Sequence, residues 1–159
     1  MVGARIALIG RSGAGKSEVS RYLTEAHKFK AVRTGQICRT IATLLFGNEE
    51  KTSTQRLDDV LTLLDPCIFL RASLREADLS GNVVVDALRF AADLELVKEL
   101  GFKSLRVTCP DQMRIQQLTF RGQSFDLEVE GGHRSETELD SFLTDFHVAN
   151  TGTDRKSVV

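Results

Sequence analysis

The octapeptide Gly10-Arg11-Ser12-Gly13-Ala14-Gly15-Lys16-Ser17 constrains this chain more than any other stretch. It follows the apolar run Ile6-Ala7-Leu8-Ile9 and leads into residues of helical period. G-x-x-x-x-G-K-[ST] between a strand and a helix is the spacing of a phosphate-binding loop. Its glycines let the backbone curl until successive N–H groups point inward, and the following helix adds the positive end of its dipole. All eight residues are therefore candidate nucleotide contacts. Lys16 is expected on the β- and γ-phosphates of a nucleoside triphosphate, and the Ser17 hydroxyl on Mg²⁺. The competing reading is a glycine-rich turn with no ligand.

With 159 residues the sequence reads as one domain, long enough to bury roughly two-thirds of its unfolded surface. The net charge of −1 argues against binding a nucleic-acid polymer, because no basic excess is present to release counterions. Cys38, Cys67 and Cys109 are odd in number and widely spaced, which suits reduced thiols and a cytoplasmic setting better than a disulfide framework. No signal-peptide pattern or run of ~20 apolar residues is present, so no membrane partner is expected.

Apolar runs alternate with helical patterns, which predicts an α/β protein with a parallel sheet. Strands are expected at 5–10, 29–32, 82–86, 104–109 and 146–149. The first helix should bury Val19, Tyr22, Leu23 and Ala26. Thr34 is a plausible cap for a second helix carrying Ile37, Ile41, Leu44 and Leu45. A third starts after Ser53 or Thr54 with Leu57, Val60, Leu61 and Leu64 inward, and a fourth runs from Pro66 towards Gly81. Helices from 91 to 100 and through Met113, Ile115, Leu118 and Phe120 follow. The alternation of Asp126, Glu128 and Glu130 with Leu127 and Val129 suggests a strand or hairpin arm.

Three further groups carry chemistry. Thr34 and Arg39, with Gly35 between them, lie past the second strand at the edge where open α/β sheets bind ligands. There Arg39 suits a phosphate clamp. Asp86 ends the apolar strand Val83-Val84-Val85, a natural place for a Mg²⁺-holding carboxylate, with helix capping as the plain alternative. Arg89 follows three residues later. Arg114 and Arg121 are seven apart on one expected helix face.

Together these segments resemble the P-loop nucleoside monophosphate kinases, and most of all the phage-type deoxynucleoside monophosphate kinases. The T-G-x-x-x-R of Thr34 to Arg39 is similar to their acceptor-binding segment. Asp86-Ala87-Leu88-Arg89 resembles their D-G-x-x-R-like element, with Ala87 where many relatives have glycine. His133-Arg134-Ser135-Glu136 and the ending Asp145 to Gly152 are similar to their late segments. Ser135 with Glu138 also matches a helix-capping box.

The resemblance implies a three-layer P-loop kinase fold with a five-stranded parallel sheet, an acceptor-binding helical region at about 34–80 and a short lid at about 121–136. It implies Arg39, Arg89 and Arg71 on the acceptor, and Gln55, Asp58 and Asp59 around its base. Lys16, Asp86, Arg114 and Arg121 would be catalytic, with Gly122, Gly131 and Gly132 as lid hinges. Asn150, Gly152 and Thr153 would lie beside adenine. The implied activity is transfer of the γ-phosphoryl group of ATP, with Mg²⁺, to a nucleoside monophosphate, preferably a deoxynucleotide. Rival readings are a kinase for dephospho-coenzyme A or phosphomevalonate, and a nucleotide switch, although no N-K-x-D guanine motif is present. A homodimer stays open beside a monomer.

Overall fold

A computed structural model of the chain describes residues 3–152. Five strands form one parallel sheet in the order β2-β3-β1-β4-β5: β1 (Arg5–Ile9), β2 (Lys30–Val32), β3 (Val83–Leu88), β4 (Lys103–Thr108) and β5 (Phe146–Ala149). Seven helices are described: α1 (Lys16–His27), α2 (Thr34–Phe46), α3 (Lys51–Leu61), α4 (Ile68–Arg75), α5 (Ala91–Glu99), α6 (Asp111–Phe120) and α7 (Arg134–Thr137). The expected strands are all present, and α2 to α4 fill the expected helical region.

The central strands β1 and β3 are covered on both faces, which is why their sequences are apolar without alternation. Leu8 and Val84 pack beneath Phe29 with Val19 and Leu23 of α1. On the opposite face Ala7, Ile9, Val83 and Val85 meet Leu70 of α4, Leu94 and Val97 of α5, and Leu139. A third cluster, built from Cys38, Ala42, Leu57 and Phe69, welds α2, α3 and α4 together. Burial raises the thiols of Cys38 and Cys67 to about 11, leaving both unreactive at neutral pH.

Parallel register is broken once. Ile6 pairs with Val84 and Ala7 with Val85, but Ile9 pairs with Leu88, so β3 carries an extra residue around Asp86 and Ala87. Such bulges re-aim side chains at the rim of a sheet. Here Asp86 is turned toward the start of α2, its Oδ1 accepting the Thr34 N–H at 3.1 Å.

Several expected core positions are exposed instead. Tyr22 and Ala26 lie on the outer side of α1. Leu44, Leu45, Val60, Leu64 and Phe120 face solvent because among the described residues no element lies over those helix faces. Helix α4 starts at Ile68 and ends at Arg75, shorter than expected, and α3 starts earlier, at Lys51. Residues 126–130 form no strand. Asp126 Oδ1 accepts the N–H groups of Glu128 and Val129, and its carbonyl accepts that of Glu130, which folds the segment into consecutive turns.

Candidate active site

The phosphate loop links β1 to α1 and is braced from outside. Gly15 has φ of 105°, and a Cβ there would lie 2.7 Å from the Asn150 Nδ2, so neither the torsion nor the space admits a side chain. Asn150 Nδ2 donates to the Ala14 carbonyl at 3.2 Å, while its Oδ1 accepts the Gly152 N–H at 3.3 Å. Asn150 thus holds the loop and its own turn, with one N–H and one lone pair of its amide to spare. Thr153 lies outside the described residues.

Arg114 is held against the loop as well. It is 2% exposed, donates Nη1 to the Ser12 carbonyl at 3.1 Å and Nε to Asp111 at 3.0 Å, and so supports the loop from below. Arg121 stands just past α6, exposed and with no side-chain partner among the described residues. The helix ends at Phe120 with Arg121 as its C-cap, so of the two arginines one is buried and the other stands in solvent at the helix end.

Lys16 curls back over the loop, donating to the carbonyls of Gly10 at 2.6 Å and Arg11 at 3.0 Å. An ammonium has three hydrogens, so one remains for a phosphate oxygen. Burial lowers its pKa to about 8, partly offset by Glu136 and reinforced by Lys51 and Arg89. Ser17 opens α1 with an exposed side. Among the described residues no group of three or more His, Cys, Asp or Glu could hold a metal. A divalent ion here would rest on the Ser17 hydroxyl, phosphate oxygens and water, which is the oxygen set Mg²⁺ accepts. Asp86 gives one oxygen, Oδ1, to the Thr34 N–H at the start of α2, and burial, opposed by the Thr34 N–H and Lys16, pushes its carboxyl upward.

Across the cleft, Arg39 and Arg89 meet at Gly35. A Cβ on Gly35 would lie 2.9 Å from Arg39 Nη1 and 3.1 Å from Arg89 Nη2, so the glycine leaves room for two guanidinium groups side by side. Arg89 is gripped by one prong: its Nη1 donates to both oxygens of Asp58, at 2.9 and 3.2 Å, with Asp58 completely buried. The other prong stays on the Gly35 side. Arg39 is steadied by Gln36 at 3.2 Å. Arg71 is not part of this group. It is half-exposed and pairs with Asp65 at 3.2 Å.

The remaining residues assigned to a base pocket have another task. Gln55 Nε2 donates to the Glu130 carbonyl at 2.8 Å, and Asp59 faces His133 Nε2 at 3.0 Å. His133 caps α7 through Nδ1, which accepts the Ser135 N–H, so the expected capping box is replaced. Arg134 reaches Thr62 Oγ1 and lies 4.3 Å above the Phe90 ring. Helix α3 and Thr62 after it are therefore the rail on which residues 130–134 rest. Gly131 and Gly132 pack against the carbonyls of Leu127 and Glu128, which makes them close-packed turn residues here, whereas Gly122 is open.

Two features escaped the sequence. Glu136 enters the phosphate loop, accepting the Ser12 N–H at 2.7 Å and the Ser12 hydroxyl at 2.6 Å. Lys51, at the start of α3, completes it at 2.7 Å. Burial alone would raise Glu136, but Lys51 and Ser12 hold it down to about 2. Lysines at helix starts are commonplace, and no local pattern links residue 51 to residue 136. Beside the loop lies a cavity of about 310 Å³ lined by Arg11, Arg106, Thr108, Cys109, Arg114 and Asp140 among others. The hollow bounded by Thr34, Phe69, Leu70 and Arg89 measures only about 10 Å³.

A parallel sheet ordered 2-3-1-4-5, with a phosphate loop after its central strand and a helical region after β2, defines the P-loop kinase fold. No family model matches the chain, and no curated protein matches it in sequence. Solved structures do match. A gluconokinase from Sinorhizobium meliloti 1021 is 17% identical with a TM-score of 0.62, covering 96% of this chain and 85% of that one. Shikimate kinase from Acinetobacter baumannii, in complex with shikimate, is 15% identical with a TM-score of 0.60, covering 94% and 84%. A Thermus thermophilus protein is 16% identical with a TM-score of 0.58, covering 96% and 91%. At such identities the likeness is one of fold.

Proposed function

We propose that the chain is an ATP-dependent phosphotransferase whose acceptor is a nucleoside monophosphate, preferably a deoxynucleotide. The observation that carries this reading is the pair of guanidinium groups at Gly35, with Arg89 near enough to Lys16 of the phosphate loop to act on its charge. Paired arginines are suited to a dianionic phosphate. The acceptor's phosphate oxygen forms a bond to the γ-phosphorus as the bond to the β–γ bridging oxygen breaks, and ADP leaves. No base is needed, because a phosphate monoester is already ionised at neutral pH, its second pKa being about 6. Lys16 and the loop amides orient the triphosphate, Arg39 and Arg89 orient the acceptor, and the lid segment on α3 excludes water. Ser17 would hold Mg²⁺, which would neutralise charge on the phosphates.

A second reading, a kinase for a compact anionic metabolite, is favoured by the engagement of Gln55, Asp58 and Asp59, which leaves little space for a base. The gluconokinase and shikimate kinase likenesses support it too.

A panel of ribo- and deoxynucleoside monophosphates, dephospho-coenzyme A, shikimate and gluconate, assayed with ATP and Mg²⁺ for ADP formation, separates the two. The proposal expects a monophosphate to be preferred, with turnover lost in Lys16→Ala and acceptor KM raised at least tenfold in Arg39→Ala. Acceptor-independent hydrolysis as the main activity would sink both readings.

A further inference from the structure

Glu136 is the least solvated carboxylate of the cleft after Asp58, with a side-chain exposure of 4%. Its two oxygens take a loop amide, a loop hydroxyl and an ammonium. Lys16 and Arg89 also lie near enough to sense its charge. A loop amide, a hydroxyl and an ammonium are the donors a phosphoryl group uses, and the carboxylate presents to them the same acceptor-only chemistry. A structural ion pair between α3 and α7 would need neither the Ser12 N–H nor a position at the loop.

We propose that Glu136 holds the position of the nucleotide's terminal phosphoryl group, and that Lys51 is a ligand of that group, passing to it from Glu136. This rests on the phosphotransferase reading and deepens it. Lys51 belongs to the acceptor-side helices and Ser12 to the donor loop, so an anion touching both lies between the two substrates. In an ATP molecule whose β-phosphate is in the loop, only the terminal phosphate extends that far. The task of Lys51 is charge. Glu136 competes for the same donors, so triphosphate binding carries the cost of displacing it.

The test is isothermal titration of the whole chain with the non-hydrolysable analogue AMP-PNP and with ADP, each with Mg²⁺, for the wild-type protein and Lys51→Met, Lys51→Arg and Glu136→Gln, with Lys16→Ala as a control. Lys51→Met is expected to weaken AMP-PNP about tenfold or more while ADP stays within about twofold, and Lys51→Arg to restore most of the difference. Glu136→Gln is expected to tighten AMP-PNP about tenfold and ADP far less. Melting curves check folding, and if Lys51→Met fails to fold, the Glu136→Gln ratio decides. Equal loss for both nucleotides in Lys51→Met, or an unchanged AMP-PNP to ADP ratio in Glu136→Gln, overturns the proposal while Lys16-dependent binding keeps the phosphate-loop reading. Absence of binding by the wild-type protein overturns both.

Discussion

Removing the Asp58 carboxylate should separate what anchors Arg89 from what Arg89 does. Asp58 is fully buried and faces Arg89 Nη1 with both oxygens, whereas the Arg89 side chain is 20% exposed. Breaking a buried pair by deleting one partner costs about 3–5 kcal/mol. Because Arg89 retains a path to water, Asp58→Ala belongs near the lower end, about 3 kcal/mol. For a chain of this size each kcal/mol moves Tm by roughly 2–4 °C, so the expected drop is about 6–12 °C.

Arg89→Ala leaves the carboxylate stranded instead, and Asp58 can escape by taking a proton. Burial already pushes its pKa above the ordinary value, while Arg89 and Lys51 pull it down, so removing Arg89 raises it further. A carboxyl whose folded pKa lies above its unfolded one binds more protons when native, and stability then falls as pH rises between the two. Arg89→Ala should therefore melt higher at pH 5 than at pH 7, and this gain should be absent from Asp58→Ala. Calorimetric melting of both variants and of the double variant gives the coupling, expected at about 2 kcal/mol. Single effects that simply add, to within about 0.5 kcal/mol, would refute the idea that the two act as a unit.

Nucleotide affinity should depend on pH through Lys16. Its pKa of about 8, set first by burial and moderated by Glu136, means that the free protein loses the ammonium above pH 8. Triphosphate binding favours the charged form, so affinity should fall up to about tenfold per pH unit from pH 8 upward, while stability of the free protein rises over the same range. A flat titration profile from pH 7 to 9.5 would contradict the placement of Lys16. Gly35→Ala should raise acceptor KM about tenfold, because the new Cβ displaces Arg39 Nη1 and Arg89 Nη2, which would lie 2.9 and 3.1 Å away. Both neighbours are flexible side-chain ends, so the cost in stability should be about 1 kcal/mol or less, and an unchanged KM would show that the guanidinium groups do not meet the acceptor.

Local chemistry made much of this protein legible from its residues alone. The phosphate loop needs only its own glycines, Lys16 and the strand before it. The strand at 83–88 announced itself by the apolar run Val83-Val84-Val85 after Gly81, and the one at 103–108 by Leu105 and Val107 between Gly101 and Pro110. Thr34, Gly35, Arg39 and Arg89 were recognisable as short-range groups at the ends of β2 and β3. Tertiary structure decided everything that joins distant segments. That Asn150 and Arg114 also hold up the loop was decided by β5 and α6, which bring them against it. Gln55 and Asp59 read as pocket polarity yet hold Glu130 and His133, because α3 runs alongside that segment. Ser12 and Glu136 each lie in a segment that the sequence singled out, but their junction with Lys51 does not show there, since its energy comes from charge brought out of water by packing, and packing is a property of the folded chain as a whole.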